Sequence, residues 1–281
     1  MLIAEGASMV SKCCLYRWII WICVFLLSSV LSCSKSSEDP LNPEGELFIK
    51  LIDAPVNYQE VNINVVYIAV HRIGTSEPFG WSIVSTDPIG PINLLSLRNG
   101  ASKQLLLNKL PVGKYDKIKL RFGTCTIKLE NGSESLLNFY TAPQFEFVLN
   151  YNFEVLKGNQ AQLTFDFDVS RSVSRIGFTY WLTPAIRVQN TLLSGSIAGS
   201  VVDSNHTVVP TTISTWTGVD SASTLNDTLN GSFQLSDLPE KTYSVRIVPF
   251  DTISFYEEKI DSVVVIRQTT NNLGAIVLRR R

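Results

Sequence analysis

Asp166 and Asp168 stand two residues apart in the run Leu163-Thr164-Phe165-Asp166-Phe167-Asp168-Val169, a spacing that puts both carboxylates on one face of a strand. Such a pair suits calcium, given further oxygen ligands from loops, or the acid and base of a glycoside hydrolase. A plainer reading leads: Leu163, Phe165, Phe167 and Val169 need an opposite, wet face, and the aspartates supply it. The chain has two histidines, His71 and His206. One sits at a strand end and the other in a loop beside Asn205, so both read as surface or edge residues. That leaves no credible Ser-His-Asp triad and no histidine zinc site. Cys125, between Thr124 and Thr126 in a strand-like run, reads as a core thiol. Trp81, Tyr180, Trp181 and Trp216 offer rings for stacking on sugars. Aromatics in strands are usually core, however, and Trp216, in a Ser/Thr-rich loop, is the member expected to be exposed.

The other reactive side chain is Cys33. Lys12 and Arg17 precede an apolar run from Trp18 to Leu27 that continues to Val30-Leu31-Ser32-Cys33. That core is short for a membrane span, which takes about 20 residues, and it ends in a small residue before a cysteine, as an export signal does. The pattern resembles a bacterial lipobox, which implies cleavage before Cys33 and acylation of its thiol and new amine. An ordinary cleaved secretory signal and an uncleaved anchor are the alternatives. Met9 begins a more typical signal than Met1. Beyond the cysteine, Ser34 to Pro40 is polar and reads as a tether. It loosely resembles the acidic signals that send Bacteroidota lipoproteins to the outer face of the outer membrane.

The elements that must position these residues are strands. Helix signals are nearly absent after residue 32, and Val, Ile, Thr, Phe and Tyr dominate short runs bounded by Gly, Pro and Asn. Ile118, Leu120 and Phe122 alternate with Lys117, Lys119 and Arg121, the period of a strand with one charged face. Asn131-Gly132 marks a hairpin between 126–130 and 135–140. Phe145–Leu149 and Asn152–Leu156 read as two further strands, and Tyr180–Val188 closes the series. The expected fold is all-β, two antiparallel β-sandwich domains in tandem behind a lipoprotein signal peptide. The segments are a signal at 1–32, the lipidated cysteine and tether at 33–46, a first sandwich at 47–190 and a smaller, seven-stranded one at 191–281. With 24 basic against 25 acidic residues there is no electrostatic footprint for nucleic acid. Cys125 is the single cysteine beyond Cys33, which excludes a disulfide within the folded part.

Two family resemblances follow from ordered motifs. Leu51-Ile52-Asp53-Ala54-Pro55, Ile92-Asn93-Leu94-Leu95, Leu110-Pro111-Val112-Gly113-Lys114-Tyr115, Phe165-Asp166-Phe167-Asp168 and Leu182-Thr183-Pro184-Ala185-Ile186 together resemble the domain of unknown function 4382 of Bacteroidota lipoproteins, over about 47–188. That family brings no catalytic residues. Gly199-Ser200-Val201-Val202-Asp203, Gly231-Ser232-Phe233-Gln234-Leu235, Leu238-Pro239 and Tyr243-Ser244-Val245 resemble carboxypeptidase regulatory-like domains over 195–278. The resemblance implies a transthyretin-like sandwich acting as spacer or binding unit. Glu240-Lys241-Thr242 departs from it where a glycine usually precedes the tyrosine. Asp220-Ser221-Ala222, Asp227-Thr228-Leu229, Asp251-Thr252-Ile253 and Asp261-Ser262-Val263 resemble the O-glycosylation acceptor motif of exported Bacteroidota proteins, with Ser221, Thr228, Thr252 and Ser262 as acceptors. The same dipeptides also favour turns.

These readings converge on a non-enzymatic protein of the outer membrane or cell surface, anchored there by lipid on Cys33. It needs no cofactor and no metal, and presents a binding or adhesion surface to a glycan or protein. Trp216, Asp166 and Asp168 are the ligand-binding candidates. A pilus-type subunit that exchanges an edge strand is the alternative, and a carbohydrate-active enzyme using Asp166 and Asp168 is the third reading. No oligomeric state is implied.

Overall fold

The computed structural model describes residues 43–54, 58–140, 145–217 and 221–281. The leader, Cys33, the tether, the turn at Pro55 and Asp220 lie outside the described residues. The N-terminal strands are β1 (Glu44–Ala54), β2 (Glu60–Arg72), β3 (Trp81–Ser85), β4 (Ile89–Asn93), β5 (Lys103–Pro111), β6 (Gly113–Phe122) and β7 (Cys125–Lys128). They continue with β8 (Glu134–Asn138), β9 (Glu146–Val155), β10 (Gln160–Asp168), β11 (Val173–Ile176), β12 (Thr179–Leu182) and β13 (Ile186–Asn190). A four-stranded sheet in the order β13-β10-β1-β5 faces a nine-stranded sheet in the order β11-β12-β8-β7-β2-β6-β9, to which β3 and β4 add through β2. One buried cluster, from Leu47 to Leu182, lies between them. Leu163, Phe165 and Phe167 from one sheet and Ile118, Leu120 and Phe122 from the other are buried in it, as their period of two demands.

A single helical turn at Thr191–Leu193 leads to β14 (Ser194–Val202), β15 (Thr211–Trp216), β16 (Ser221–Leu225), β17 (Ser232–Pro239), β18 (Thr242–Pro249), β19 (Glu258–Val264) and β20 (Thr270–Val277). These seven strands form sheets in the orders β17-β14-β20 and β16-β15-β18-β19. They enclose a second buried cluster that runs from Ile197 to Leu278. The chain is thus all-β and of sandwich type.

Two expectations of detail change. The pairings β1 with β10, β8 with β12 and β14 with β20 are parallel, so the sheets are mixed, not purely antiparallel. Residues 146–155 form one strand, not two. Asn150 and Asn152 are outward positions in an unbroken alternation that buries Leu149, Phe153 and Val155.

The two bodies share one core plan. β10-β1-β5 matches β20-β14-β17, and β2-β6-β9 matches β15-β18-β19. Gly45 pairs with Leu110 as Gly195 pairs with Leu238. Tyr115 donates its hydroxyl to the Pro111 carbonyl at 2.7 Å, and Tyr243 to the Pro239 carbonyl at 2.9 Å. A register shift follows each tyrosine, between Tyr115 and Lys117 and between Tyr243 and Val245. The Glu46 amide donates to Asn159 and the Ser196 amide to Thr269, each at 2.9 Å. A Cβ at Gly45 would collide with the Leu156 carbonyl, and one at Gly195 with the Ile266 carbonyl. The Leu-Pro-x-x-x-Tyr pattern is the sequence trace of this repeat.

Candidate functional site

The second body rests on the outer face of the first body's four-stranded sheet. Lys50 of β1 and Thr164 and Asp166 of β10 point out from that face. Asp237 of β17, 5% exposed, meets them: its Oδ1 accepts from Thr164 Oγ1 at 3.0 Å and Ser194 Oγ at 3.3 Å, and its Oδ2 lies 3.0 Å from Lys50 Nζ. Higher on the seam, the Asn99 amide donates to Thr224 Oγ1 at 3.2 Å.

Asp166 is therefore not on a solvent face, as its spacing suggests, because the face opposite the hydrophobic row is the seat of the second body. It is buried and paired with Arg187, whose Nη2 and Nε lie 2.7 and 3.2 Å from Oδ2. Burial outweighs the guanidinium and pushes the Asp166 carboxyl above its ordinary value, with Asp168 and Asp237 adding to the rise. Asp168 has a structural task. Its Oδ1 accepts from the Arg171 amide at 3.0 Å and Ser170 Oγ at 2.6 Å, capping the helical turn Val169–Ser172.

Beside this pair the seam opens into a groove of about 560 Å³, walled by Asp166, Asp168, Arg171 and Arg187 on one side and Ser214, Thr215 and Ser223 on the other. That volume is within the range of small-molecule sites. Ser214 and Trp216 face the same way on β15, and Trp216 is 70% exposed. Asp166 and Asp168 thus stand in the wall of one groove with Ser214 opposite, and Trp216 lies two residues along β15 from Ser214 on the same face of the strand.

The other aromatics do not join them. Trp81 packs on the His71 ring at 5.2 Å, under Lys119 Nζ at 4.4 Å. Tyr180 is buried, and Trp181 stacks on Tyr140 at 4.4 Å. His71 is also not a surface residue: β2 runs between β3 and β6, which leaves its side chain 3% exposed. Its Nδ1 lies 2.7 Å from Asp116 Oδ1, and its Nε2 lies 3.1 Å from the Phe79 carbonyl and 3.3 Å from Thr75 Oγ1. The Thr75 hydroxyl donates to the Arg72 carbonyl at 2.6 Å. Both ring nitrogens thus face oxygen partners, and the Thr75 hydroxyl proton is directed to the Arg72 carbonyl and not to the ring. This His-Asp-Thr group ties down the loop between β2 and β3 and resembles a nucleophile triad in composition alone. His206 is exposed in a turn. Cys125 is buried, and burial pushes its thiol up to about 11. No cluster of three His, Cys, Asp or Glu with metal-binding geometry occurs among the described residues.

Of the hydroxyl candidates, Thr228, Thr252 and Ser262 are exposed, and Ser221 opens β16. Thr228 and Thr252 occupy matching turns. Asp227 Oδ1 accepts from the Leu229 and Asn230 amides at 2.7 and 3.1 Å, and Asp251 Oδ1 from the Ile253 and Ser254 amides at 3.1 and 3.0 Å. Sequence reasoning missed Lys50, Arg187 and Asp237, none of which lies in a motif. It also missed Phe250, which follows directly on a buried strand end.

A family model described as "Domain of unknown function (DUF4382)" matches residues 44–184, half of the chain. The chain belongs to this family. The DUF4382 match covers β1 to β12, including Asp166 and Asp168 but not Arg187 or the second body. No curated protein matches the chain. Among solved structures, the Bacillus anthracis TIE protein is 13% identical over 84% of this chain and 34% of its own, with a TM-score of 0.23. A leucine-rich repeat protein from Bacteroides thetaiotaomicron is 9% identical over 84% of this chain and 26% of its own, TM-score 0.20. The chain therefore spans about a third or less of both proteins. GBS52, the minor pilin of Streptococcus agalactiae, is 9% identical over 84% of this chain and 96% of its own, TM-score 0.25.

Proposed function

We propose that this DUF4382 chain is a non-enzymatic envelope protein, held to the outer membrane by lipid on Cys33, that captures saccharide in the groove between its two bodies. The observation that carries the reading is the groove of about 560 Å³ with hydroxyls on its wall, and an exposed indole two residues along β15 from the groove's Ser214. A flat apolar ring beside a few polar groups is what a sugar face and its hydroxyls require. The carboxylates there are committed elsewhere, Asp166 to Arg187 and Asp168 to a helix cap, which favours binding over hydrolysis. The seven strands of the second body fit the binding or spacer role of carboxypeptidase regulatory-like modules. Thr228 and Thr252, exposed in matching turns, fit O-glycan acceptors.

The test uses the full-length protein in detergent on a panel of immobilised glycans. Binding that Trp216→Ala weakens about tenfold is expected; a protein inert to the whole panel refutes the reading. Labelled palmitate should enter the wild type but not Cys33→Ala. Native mass equal to the bare lipidated polypeptide would remove the glycan acceptors. A pilus-type role is the second reading, favoured by β20, which pairs with β14 on one side and with no other strand among the described residues. Covalent or strand-linked polymers in native envelopes would support it.

A further inference from the structure

The outward face of the sheet β16-β15-β18-β19 carries more than Trp216. Register aligns Thr212, Ser214 and Trp216 of β15 with Leu225 and Ser223 of β16, and with Val248, Arg246 and Ser244 of β18. The alternate residues Thr211, Ile213, Thr215, Tyr243, Val245 and Ile247 are buried, so the first set faces outward without exception. Pro249 pairs with Thr211 at the far end of β15, and Phe250 follows it, 59% exposed. Trp216 and Phe250 therefore mark the two ends of β15, roughly 20 Å apart at about 3.3 Å per residue.

Phe250 lines one groove, and Ser214, two residues along β15 from Trp216, lines the other. At the Phe250 end a groove of about 460 Å³ is lined by Arg98, Asn99, Leu225, Asp227 and Thr228. Between the rings lie the hydroxyls of Thr212, Ser214 and Ser223. The charges on this face are satisfied within it: Arg246 pairs with Glu257 at 2.6 Å, and Lys259 with Asp261 at 2.9 Å. Asp261 also accepts from Ser244 Oγ at 2.5 Å. Arg98 and Arg171 stand in separate grooves, and no row of cations runs between them along the face, as a polyanion would require. An uncharged chain with a flat unit at each end and hydroxyls between would find complementary groups along its whole length.

We infer that the ligand is an uncharged polysaccharide laid along β15, stacked on Trp216 at one end and on Phe250 at the other. This rests on the saccharide capture proposed above and adds to it the ligand's length, direction and second platform. Because the rings are separate, one short saccharide engages one of them, and only a longer chain gains both contributions. Each stacking contact is worth about tenfold in affinity.

The experiment measures binding of neutral gluco-, manno- and xylo-oligosaccharides, from disaccharide to octasaccharide, to the full-length protein in detergent. The expected result is one series whose affinity climbs by about tenfold once the chain spans both rings. Phe250→Ala should erase that climb while leaving the shortest binder unchanged, Phe250→Tyr should restore it, and Trp216→Ala should weaken every length. Equal affinity for short and long chains, with Phe250→Ala like wild type, overturns the extended site and leaves capture standing. No binding by any series removes capture, and the extended site with it.

Discussion

Replacing Asp237 by alanine should loosen the second body from the first. The wild-type carboxylate, 5% exposed, receives hydroxyls from Thr164 and Ser194 and the Lys50 ammonium. Breaking a buried ion pair from one side costs about 3–5 kcal/mol. Three features of the site pull toward the lower end. Thr164 keeps Thr191 Oγ1 at 2.9 Å, Ser194 keeps the Thr191 carbonyl at 3.0 Å, and Lys50 is partly open to water. Asp237 also sits at φ 53°, where alanine costs about 1 kcal/mol or more. The net expectation is a loss of about 3–4 kcal/mol. Asp237→Asn, which keeps an acceptor oxygen and tolerates that backbone, should lose about half as much. Hydrogen exchange read by mass spectrometry locates the effect: protection should fall in β14–β20 and persist in the strands around Phe165 and Ile118. If Asp237→Ala unfolds as one unit within about 0.5 kcal/mol of wild type, like a surface substitution, the seam is not held in this way.

Asp166 gives an inverted pH dependence. Its carboxyl is raised above the ordinary 3.8, chiefly by burial, so the native state holds a proton that the unfolded chain releases. Its contribution to stability is gained as pH falls through the raised value, is complete below 3.8, and is lost as pH climbs again. Denaturation across that window should show this slope in the wild type and a flatter one in Asp166→Asn. Cys125, buried with its thiol pushed up to about 11, should resist an aromatic disulfide reagent at pH 8 in the native protein and react at once in urea. Gly45→Ala and Gly195→Ala should each cost about 2 kcal/mol or more, because the new Cβ meets a backbone carbonyl that cannot turn aside; melting curves that match wild type would refute the shared close approach.

The strands were legible wherever one face is apolar and the other is not. Ile118–Phe122 and Leu163–Phe167 are read from period two alone, since hydrophobic burial forces it. The second strand break near residue 150 misled because Asn150 and Asn152 look like turn residues when only their composition is weighed. The larger failure was Asp166. Alternation tells which residues share a face but not what covers that face, and a polar row can be wet or can meet another polar surface. His71 misled for a similar reason, since its partners Asp116 and Phe79 come from elements distant in sequence or joined by a loop. Trp216 is exposed as the composition around it suggested, but it ends β15 and does not lie in a loop: its exposure follows from strand alternation, since the flanking Thr215 is buried. Phe250 was not legible, because a phenylalanine after Val-Pro at a strand end looks like core until the register fixes which way it points.

The doubled core plan also shows how the outer faces of the two bodies differ. The contact between them is head-to-tail: the edge of the later copy lies on the face of the earlier one, and such a contact does not close on itself. By register, Lys50 faces Thr164 and Ile52 faces Asp166 in the first copy, while Ser200 faces Ala275 and Val202 faces Val277 in the second. The polar row Lys50, Thr164 and Asp166 has thus become Ser200, Ala275 and Val277. An incoming edge bearing an aspartate like Asp237 would meet no ammonium and no threonine hydroxyl there, and burying its charge would go uncompensated. A further copy docking by this same contact would find no matching seat on the second body, through a change of three side chains rather than a change of fold.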